Sequence, residues 1–129
     1  MKRFLPIAAT AIALFGAYAA QAASGFVTRN ADLYAGPGEY PKVVSVPQSA
    51  PVQVYGCIDA YAWCDVMWKD QRGWVRGELL AVEHRGRRVV MRPGVTIDVP
   101  VIVFDGNTYW EEHYRERPFY RERDRYLHR

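Results

Sequence analysis

The sequence predicts an all-β fold, a small barrel or sandwich built from short strands. Within residues 33–80, apolar residues alternate with other residues over 43–46 and 52–55, which is the pattern of a half-buried strand. Proline, glycine and serine separate these runs at short intervals, as they do between the strands of small β proteins. The Gly-Pro-Gly sequence at 36–38 adds a turn cluster, because its glycines can take positive φ.

Residues 1–22 contain the three parts of a secretory signal in order. Lys2 and Arg3 give a basic start, and an apolar stretch covers residues 7–20. An Ala-Gln-Ala cleavage site ends at Ala22. A membrane anchor is the alternative, but the apolar stretch is shorter than the ~20 residues that a spanning helix needs. We therefore expect a periplasmic or secreted protein with no integral membrane span after cleavage.

Cleavage of this signal changes the charge of the protein. It removes two of the 17 basic residues and none of the 14 acidic ones, so the formal net charge falls from +3 to +1. The mature chain has no basic stripe interleaved with aromatic residues, which a nucleic-acid-binding surface would need. We expect no nucleic acid among its partners.

The mature chain contains two cysteines, Cys57 and Cys64, which flank a predicted hairpin. If Ala60 and Tyr61 form its tip, the cysteines lie directly opposite each other, within reach of a disulfide. An oxidising compartment favours this bond. A redox motif would need Cys-x-x-Cys at a helix start, and a zinc site would need two further ligands nearby, but neither pattern occurs. We therefore predict a structural disulfide.

The stretch from residue 33 to residue 80 resembles the bacterial SH3 (SH3b) family, in a Leu-x-x-Gly-Pro-Gly opening and a late Trp-x-x-Val and Gly-Trp-Val ending. The matching residues are Leu33, Gly36, Pro37, Gly38, Trp63, Val66, Gly73, Trp74, Val75, Leu79 and Leu80. The resemblance implies a small SH3-like barrel over residues 25–82, with a single-turn helix over 77–80 before the last strand. Modules of this family usually serve as targeting or binding units and are often fused to a cell-wall hydrolase. The resemblance thus implies binding of a cell-wall component, a peptidoglycan peptide or glycan.

Strand alternation places Trp63 and Asp65 on the face of the hairpin opposite the inward-facing Val66, near Trp74. Exposed aromatic side chains on a concave surface commonly form recognition sites, so we expect a ligand-binding site here with Asp65 as its polar anchor. The candidate ligand-binding residues are Tyr34, Tyr40, Tyr61, Trp63, Asp65 and Trp74. The alternative is that the tryptophans only shield the barrel, since a domain of about 60 residues buries only about 60% of its surface.

Residues 83–129 form a C-terminal extension with three predicted parts. Extended arms, interrupted by prolines and a glycine, should pack on the barrel rather than form an independent sheet. A short helix follows near 107–117, with Asn107 as its N-cap and with Trp110 and Tyr114 on one face. So short a helix is marginal alone and must lie against the barrel or a partner. The charged tail resembles tails appended to SH3b modules in small exported proteins of Gram-negative bacteria.

The sequence contains no pattern that predicts catalysis. His84, His113 and His128 lie far apart without metal-binding spacing, and no Gly-x-Ser-x-Gly or phosphate-loop motif occurs. We expect no enzyme activity, no cofactor and no metal site. Two hypotheses remain. One is a non-catalytic periplasmic binding module for a cell-wall peptide or glycan. The other is an interaction protein whose aromatic and arginine-rich tail docks on an envelope protein.

Overall fold

The computed structural model describes residues 22–127, so the predicted signal sequence, apart from Ala22, lies outside the described residues. The strands are β1 Ala23–Val27, β2 Ala31–Tyr34, β3 Lys42–Val46, β4 Pro51–Cys57, β5 Trp63–Trp68, β6 Gln71–Arg76, β7 Leu80–His84 and β8 Arg87–Val90. The helices are α1 Gly106–His113 and α2 Arg123–Tyr126, with 3-10 turns at Asp59–Tyr61, Gly77–Leu79 and Pro118–Glu122. Among the described residues, no helix is long and apolar enough to span a membrane.

All eight strands belong to one antiparallel sheet in the order β3-β2-β6-β5-β4-β1-β7-β8. The end strands, β3 and β8, do not pair with each other within residues 22–127, so the sheet does not close. Burial alternates along β4, where Val52 and Val54 are buried while Pro51 and Gln53 are exposed. This is the predicted period of two, and it confirms an all-β fold with a short C-terminal helix.

One face of the sheet packs into an aliphatic core. Val54, Val66 and Val75 come from three neighbouring strands. Their side chains are 0% exposed and lie on the same face of the sheet, within this core. The buried side chains of the aliphatic core are Val27, Ala31, Leu33, Val46, Ala50, Val52, Val54, Cys57, Cys64, Val66, Val75, Leu80, Val82, Met91, Ile97 and Val99. Burying one valine or leucine side chain stabilises a fold by about 1.5–3 kcal/mol, so this core holds the strands together.

The β4–β5 hairpin contains the disulfide. Cys57 lies opposite Cys64, their Cα atoms are 4.0 Å apart, and their sulfur atoms are bonded. The 3-10 turn Asp59–Tyr61 forms the tip, where Ala60 and Tyr61 take positive φ values of 64° and 58°. The predicted cysteine pairing and the predicted disulfide are confirmed.

The sheet continues beyond Val82, the predicted end of the barrel. The turn Gly77–Leu79 leads into β7 as expected, and β7 then pairs with β8. Between these strands Arg85 and Gly86 take positive φ values of 54° and 78°, a geometry typical of the tight turn in a hairpin. The polar residues at 83–88, which belong to the predicted C-terminal extension, therefore form a hairpin of the same sheet.

The segment from residue 95 to residue 104, which we call the arm, pairs with the end of β4 at Cys57. The Cys57 N–H donates to the Pro100 carbonyl oxygen (2.9 Å), and the Ile102 N–H donates to the Cys57 carbonyl oxygen (2.7 Å). A Cβ atom at Gly56 would lie 2.6 Å from Cδ1 of Ile102, so the arm can approach β4 only because this residue is glycine. The extended arm packs on the sheet, as the sequence predicts.

Helix α1 begins earlier and ends earlier than predicted. Its N-cap is Asp105, whose carboxylate accepts a hydrogen bond from the Thr108 N–H at 3.2 Å. The prediction of Asn107 as N-cap is wrong. Asp105 lies three residues before Thr108, and its carboxylate accepts the hydrogen bond of the Thr108 N–H, which has no partner within the helix. The helix ends at His113 rather than continuing over the predicted range of 107–117.

Candidate ligand-binding surface

Asp65, the predicted polar anchor, is a fully buried carboxylate. It lies in β5 opposite Trp74 of β6 and is 0% exposed. Arg72 donates from Nε to Oδ1 (3.2 Å) and from Nη2 to Oδ2 (2.8 Å). The Tyr109 hydroxyl donates to Oδ2 (2.5 Å) and the Tyr114 hydroxyl donates to Oδ1 (2.8 Å). Each carboxylate oxygen thus has two donors, which compensates for the removal of its charge from water.

The buried carboxylate changes the pKa values of its donors. Burial raises the pKa of Tyr109, and the charge of Asp65 and its hydrogen bond raise it further. Burial, followed by the charge of Asp65, also raises the pKa of Tyr114. Burial alone would lower the pKa of Arg72, but the hydrogen bond and the attraction to Asp65 outweigh it and raise the pKa. Near neutral pH the three side chains therefore stay protonated and act as fixed donors, not as acids or bases.

Residues 105–127, which we call the C-terminal cover, lie over this face of the sheet. Trp74 and Trp110 are 0% exposed at the centre of an aromatic cluster, and the rings of Trp74 and Tyr109 are 5.5 Å apart. The Trp110 Nε1 donates to the Ala35 carbonyl oxygen at 2.9 Å, whereas the Trp74 Nε1 has no hydrogen-bond partner among the described atoms. The buried members of the aromatic cluster are Ala35, Trp74, Tyr109, Trp110, Tyr114 and Leu127.

The prediction that Asp65 and Trp74 contribute to an exposed site is wrong. Both lie on the face opposite Val66, as strand alternation predicts, but the C-terminal cover buries that face. The cover supplies aromatic surface for the indole and two hydroxyl donors for the carboxylate. The same contacts settle where the aromatic face of α1 lies: it packs against the sheet.

Two further candidate residues also serve in packing. Tyr40 is half-buried, with its ring 5.6 Å from that of Phe104 and 6.2 Å from that of Trp110. Tyr61 is half-buried against the aliphatic core, and its hydroxyl donates to the Ile97 carbonyl oxygen at 3.4 Å. The two tyrosines therefore belong to different clusters and do not form one surface.

Tyr34 and Trp63 are the candidate residues that meet at the protein surface. Both are half-buried, and their rings pack edge to face with centroids 5.8 Å apart. Arg76, which is paired with Trp63 between β5 and β6, places its guanidinium 4.9 Å from the centre of the Trp63 ring. An aromatic pair and an exposed cation thus lie together at one edge of the C-terminal cover.

A groove with a cavity volume of about 530 Å³ lies beside this pair, and we call it the Trp63 groove. Its lining residues are Pro37, Ile58, Asp59, Trp63, Val101, Ile102, Val103 and Phe104. Two of these lining residues are large apolar residues that are exposed to water. Val101 is 66% exposed and Val103 is 90% exposed. Both valines line the same groove, and exposed apolar side chains that are grouped rather than scattered mark interaction surfaces.

Sequence reasoning missed the contribution of the arm to this groove. The sequence at 101–104 is uniformly apolar, Val-Ile-Val-Phe, whereas in the structure Val101 and Val103 are exposed and Ile102 and Phe104 are half-buried. The pattern alone did not show which side of the arm would remain uncovered.

Across residues 22–127, no group of three or more His, Cys, Asp or Glu side chains is placed to hold a metal ion.

Comparison with known proteins found no matching family model, no matching curated protein and no matching solved structure. The resemblance to the SH3b family therefore stays a prediction that rests on the motif residues.

Proposed function

We propose that the protein is a non-catalytic periplasmic binding module that takes a cell-wall component, a peptidoglycan peptide or glycan, into the Trp63 groove. One observation carries the proposal. The C-terminal cover buries Asp65 and Trp74 but leaves Trp63 and Tyr34 partly exposed beside a cavity of about 530 Å³. A mostly apolar cleft of this size with a few polar groups is the usual form of a ligand site.

The residues around the groove suit a ligand that has both apolar and charged groups. Trp63 offers a flat aromatic surface, and Arg76 provides a cation next to it that has no ion-pair partner among the described residues. Asp59 provides an exposed carboxylate in the lining. Wall peptides contain carboxylates, amino groups and short apolar side chains, so each of these features has a counterpart in such a ligand.

Two features support the proposed location. The basic start, apolar stretch and cleavage site of residues 1–22 predict export. The Cys57–Cys64 disulfide is of the kind that persists in an oxidising compartment such as the periplasm.

The second hypothesis, docking on an envelope protein through the tail, loses its main support. The aromatic residues on which it rests are used in packing, since Tyr109, Trp110 and Tyr114 are buried. The outer surface of the C-terminal cover is charged, and acidic side chains pair with two of its arginines. Arg115 forms an ion pair with Glu111, and Arg125 forms one with Glu122.

Co-sedimentation with purified wall sacculi tests the proposal. Trp63→Ala should weaken binding by about 30-fold, because a central aromatic residue of an interface typically contributes about 2 kcal/mol. Trp68→Ala is the matched control, since Trp68 is a half-buried tryptophan of the same strand that lies outside the groove and packs on the aliphatic core. Absence of binding by the parent protein, or equal binding by Trp63→Ala, would refute the proposed function.

A further inference from the structure

The arm makes one parallel bridge to β4, between Val101 and Cys57, and its outer edge is unpaired. The hydrogen bonds to Cys57 involve the carbonyl of Pro100 and the N–H of Ile102. Because successive residues of an extended chain direct their backbone groups to opposite sides, the N–H and C=O groups of Val101 and Val103 point away from β4. These groups have no hydrogen-bond partner in the described part of the chain.

This edge has no charged side chain and no bulge at Val101 or Val103. Natural proteins usually place lysines, prolines or bulges on such edges, which prevents other chains from pairing with them. Here the outward-facing residues are Val101 and Val103, which are 66% and 90% exposed. Pro100 does not block the edge, because it lies at a position that faces β4. The arm therefore presents open backbone groups and apolar side chains at the same place.

We infer that an extended peptide binds to this edge as an added strand, with hydrogen bonds to Val101 and Val103 and a side chain in the Trp63 groove. The inference rests on the proposed function and specifies its ligand, the peptide of the cell wall rather than the glycan. The backbone N–H and C=O groups of a peptide can pair with those of a strand edge, whereas a sugar chain has no such backbone. The apolar lining at Ile58 and Phe104 fits a side chain of that peptide.

The length of the edge favours a peptide over a second copy of the protein. The edge is short, because Pro100 precedes it and Asp105 starts helix α1 just after it. A stable dimer typically buries about 1,200 Å² or more, which so short a strand pairing does not supply. A peptide of a few residues needs only this edge and the neighbouring groove.

Two variants at one position separate the backbone contact from the side-chain contact. Val103→Pro removes the outward N–H while keeping an apolar side chain, and Val103→Ala keeps the N–H while shortening the side chain. Since Val103 is 90% exposed, neither change removes core packing. We expect Val103→Pro to weaken sacculus binding by about tenfold, the effect of one lost hydrogen bond, and Val103→Ala to weaken it by less than about threefold. The melting temperature of each variant shows whether it is folded.

Competition identifies the part of the wall that is bound. Stem peptides released from sacculi by an amidase should compete for binding, and the peptide-free glycan strands from the same digest should not. Amide hydrogen exchange of the unsubstituted protein provides a second readout, in which the Val101 and Val103 amides should exchange at least about tenfold more slowly when stem peptide is bound.

The outcomes distinguish the two proposals. If the protein binds sacculi but glycan strands compete, or if the two amides stay unprotected with peptide bound, the inference is wrong and the proposed function stands. If the protein does not bind sacculi, the proposed function fails and the inference fails with it.

Discussion

The aliphatic core and the aromatic cluster lie on opposite faces of the same sheet and are stabilised in different ways. The aliphatic core is built largely from valines and leucines of neighbouring strands. The aromatic cluster surrounds a buried charge, Asp65, whose hydroxyl donors Tyr109 and Tyr114 lie 44 and 49 residues away in sequence. The first needs only apolar volume, whereas the second needs particular donors in particular places.

This difference has a consequence for substitutions. Apolar side chains of similar volume usually replace one another in a core at a cost of less than about 1.5 kcal/mol. A buried carboxylate that loses one donor keeps its desolvation penalty, so a change of a single atom matters more there. The aromatic cluster should therefore tolerate fewer substitutions, although its tryptophan and tyrosine side chains are larger.

The largest effect should come from Trp110→Ala. Removing a fully buried tryptophan side chain typically lowers the free energy of unfolding by about 3–5 kcal/mol. Urea unfolding followed by near-ultraviolet and by far-ultraviolet circular dichroism measures this loss for the aromatic cluster and for the sheet. We expect the two signals of the parent protein to coincide in a single transition. If the near-ultraviolet signal is lost first, the aromatic cluster unfolds independently of the aliphatic core, and the C-terminal cover is not a permanent part of the fold.

A smaller effect is expected for Tyr114→Phe, which removes one hydroxyl donor of Asp65 and keeps the ring. A hydrogen bond to a charged group contributes about 1.5–3 kcal/mol, and the free energy of unfolding should fall by that amount. Tyr120→Phe is the matched control, because its hydroxyl donates to the exposed Glu111 at 2.6 Å and its loss should cost less than about 1 kcal/mol. Equal losses for the two variants would mean that the burial of Asp65 has no energetic importance.

High pH should destabilise the aromatic cluster gradually. Tyr109 and Tyr114 have raised pKa values in the folded protein, so their contribution is fully present below the unfolded value of about 10. This contribution is lost as the pH rises above that value, because the unfolded chain releases the two protons at a lower pH than the folded protein does. The free energy of unfolding then falls by up to about 1.4 kcal/mol per pH unit for each tyrosine. Urea unfolding between about pH 8 and about pH 11 measures the slope. The Tyr109→Phe/Tyr114→Phe double variant should lack it, and an unchanged slope in that variant would contradict the assignment.

The aliphatic core could be predicted from the sequence because its signal is local. The alternation around Val52, Val54 and Val66 depends only on strand geometry, and the opposed cysteines Cys57 and Cys64 depend only on the hairpin between them. Both predictions are confirmed.

The aromatic cluster could not be predicted in the same way. A carboxylate such as Asp65 is almost always exposed unless it is paired, so its burial depends on donors that only the folded chain brings near. The sequence indicated an aromatic face on the helix but did not show what that face covers. The Trp63 groove could be predicted only in part for the same reason, because Val101 and Val103 join it through the pairing of the arm with the end of β4 at Cys57.

We propose that the C-terminal cover divides the predicted site into a buried part that stabilises the protein and a partly exposed part, around Trp63, that binds the ligand. Sacculus binding and urea unfolding of Asp65→Asn and Trp63→Ala, measured side by side, test it most directly. Asp65→Asn should lower the free energy of unfolding by about 3 kcal/mol, because it leaves Arg72 unpaired, and should bind like the parent while folded. Trp63→Ala should lose binding by about 30-fold with a smaller loss of stability. Loss of binding in folded Asp65→Asn together with normal binding by Trp63→Ala would show that the ligand does not bind around Trp63.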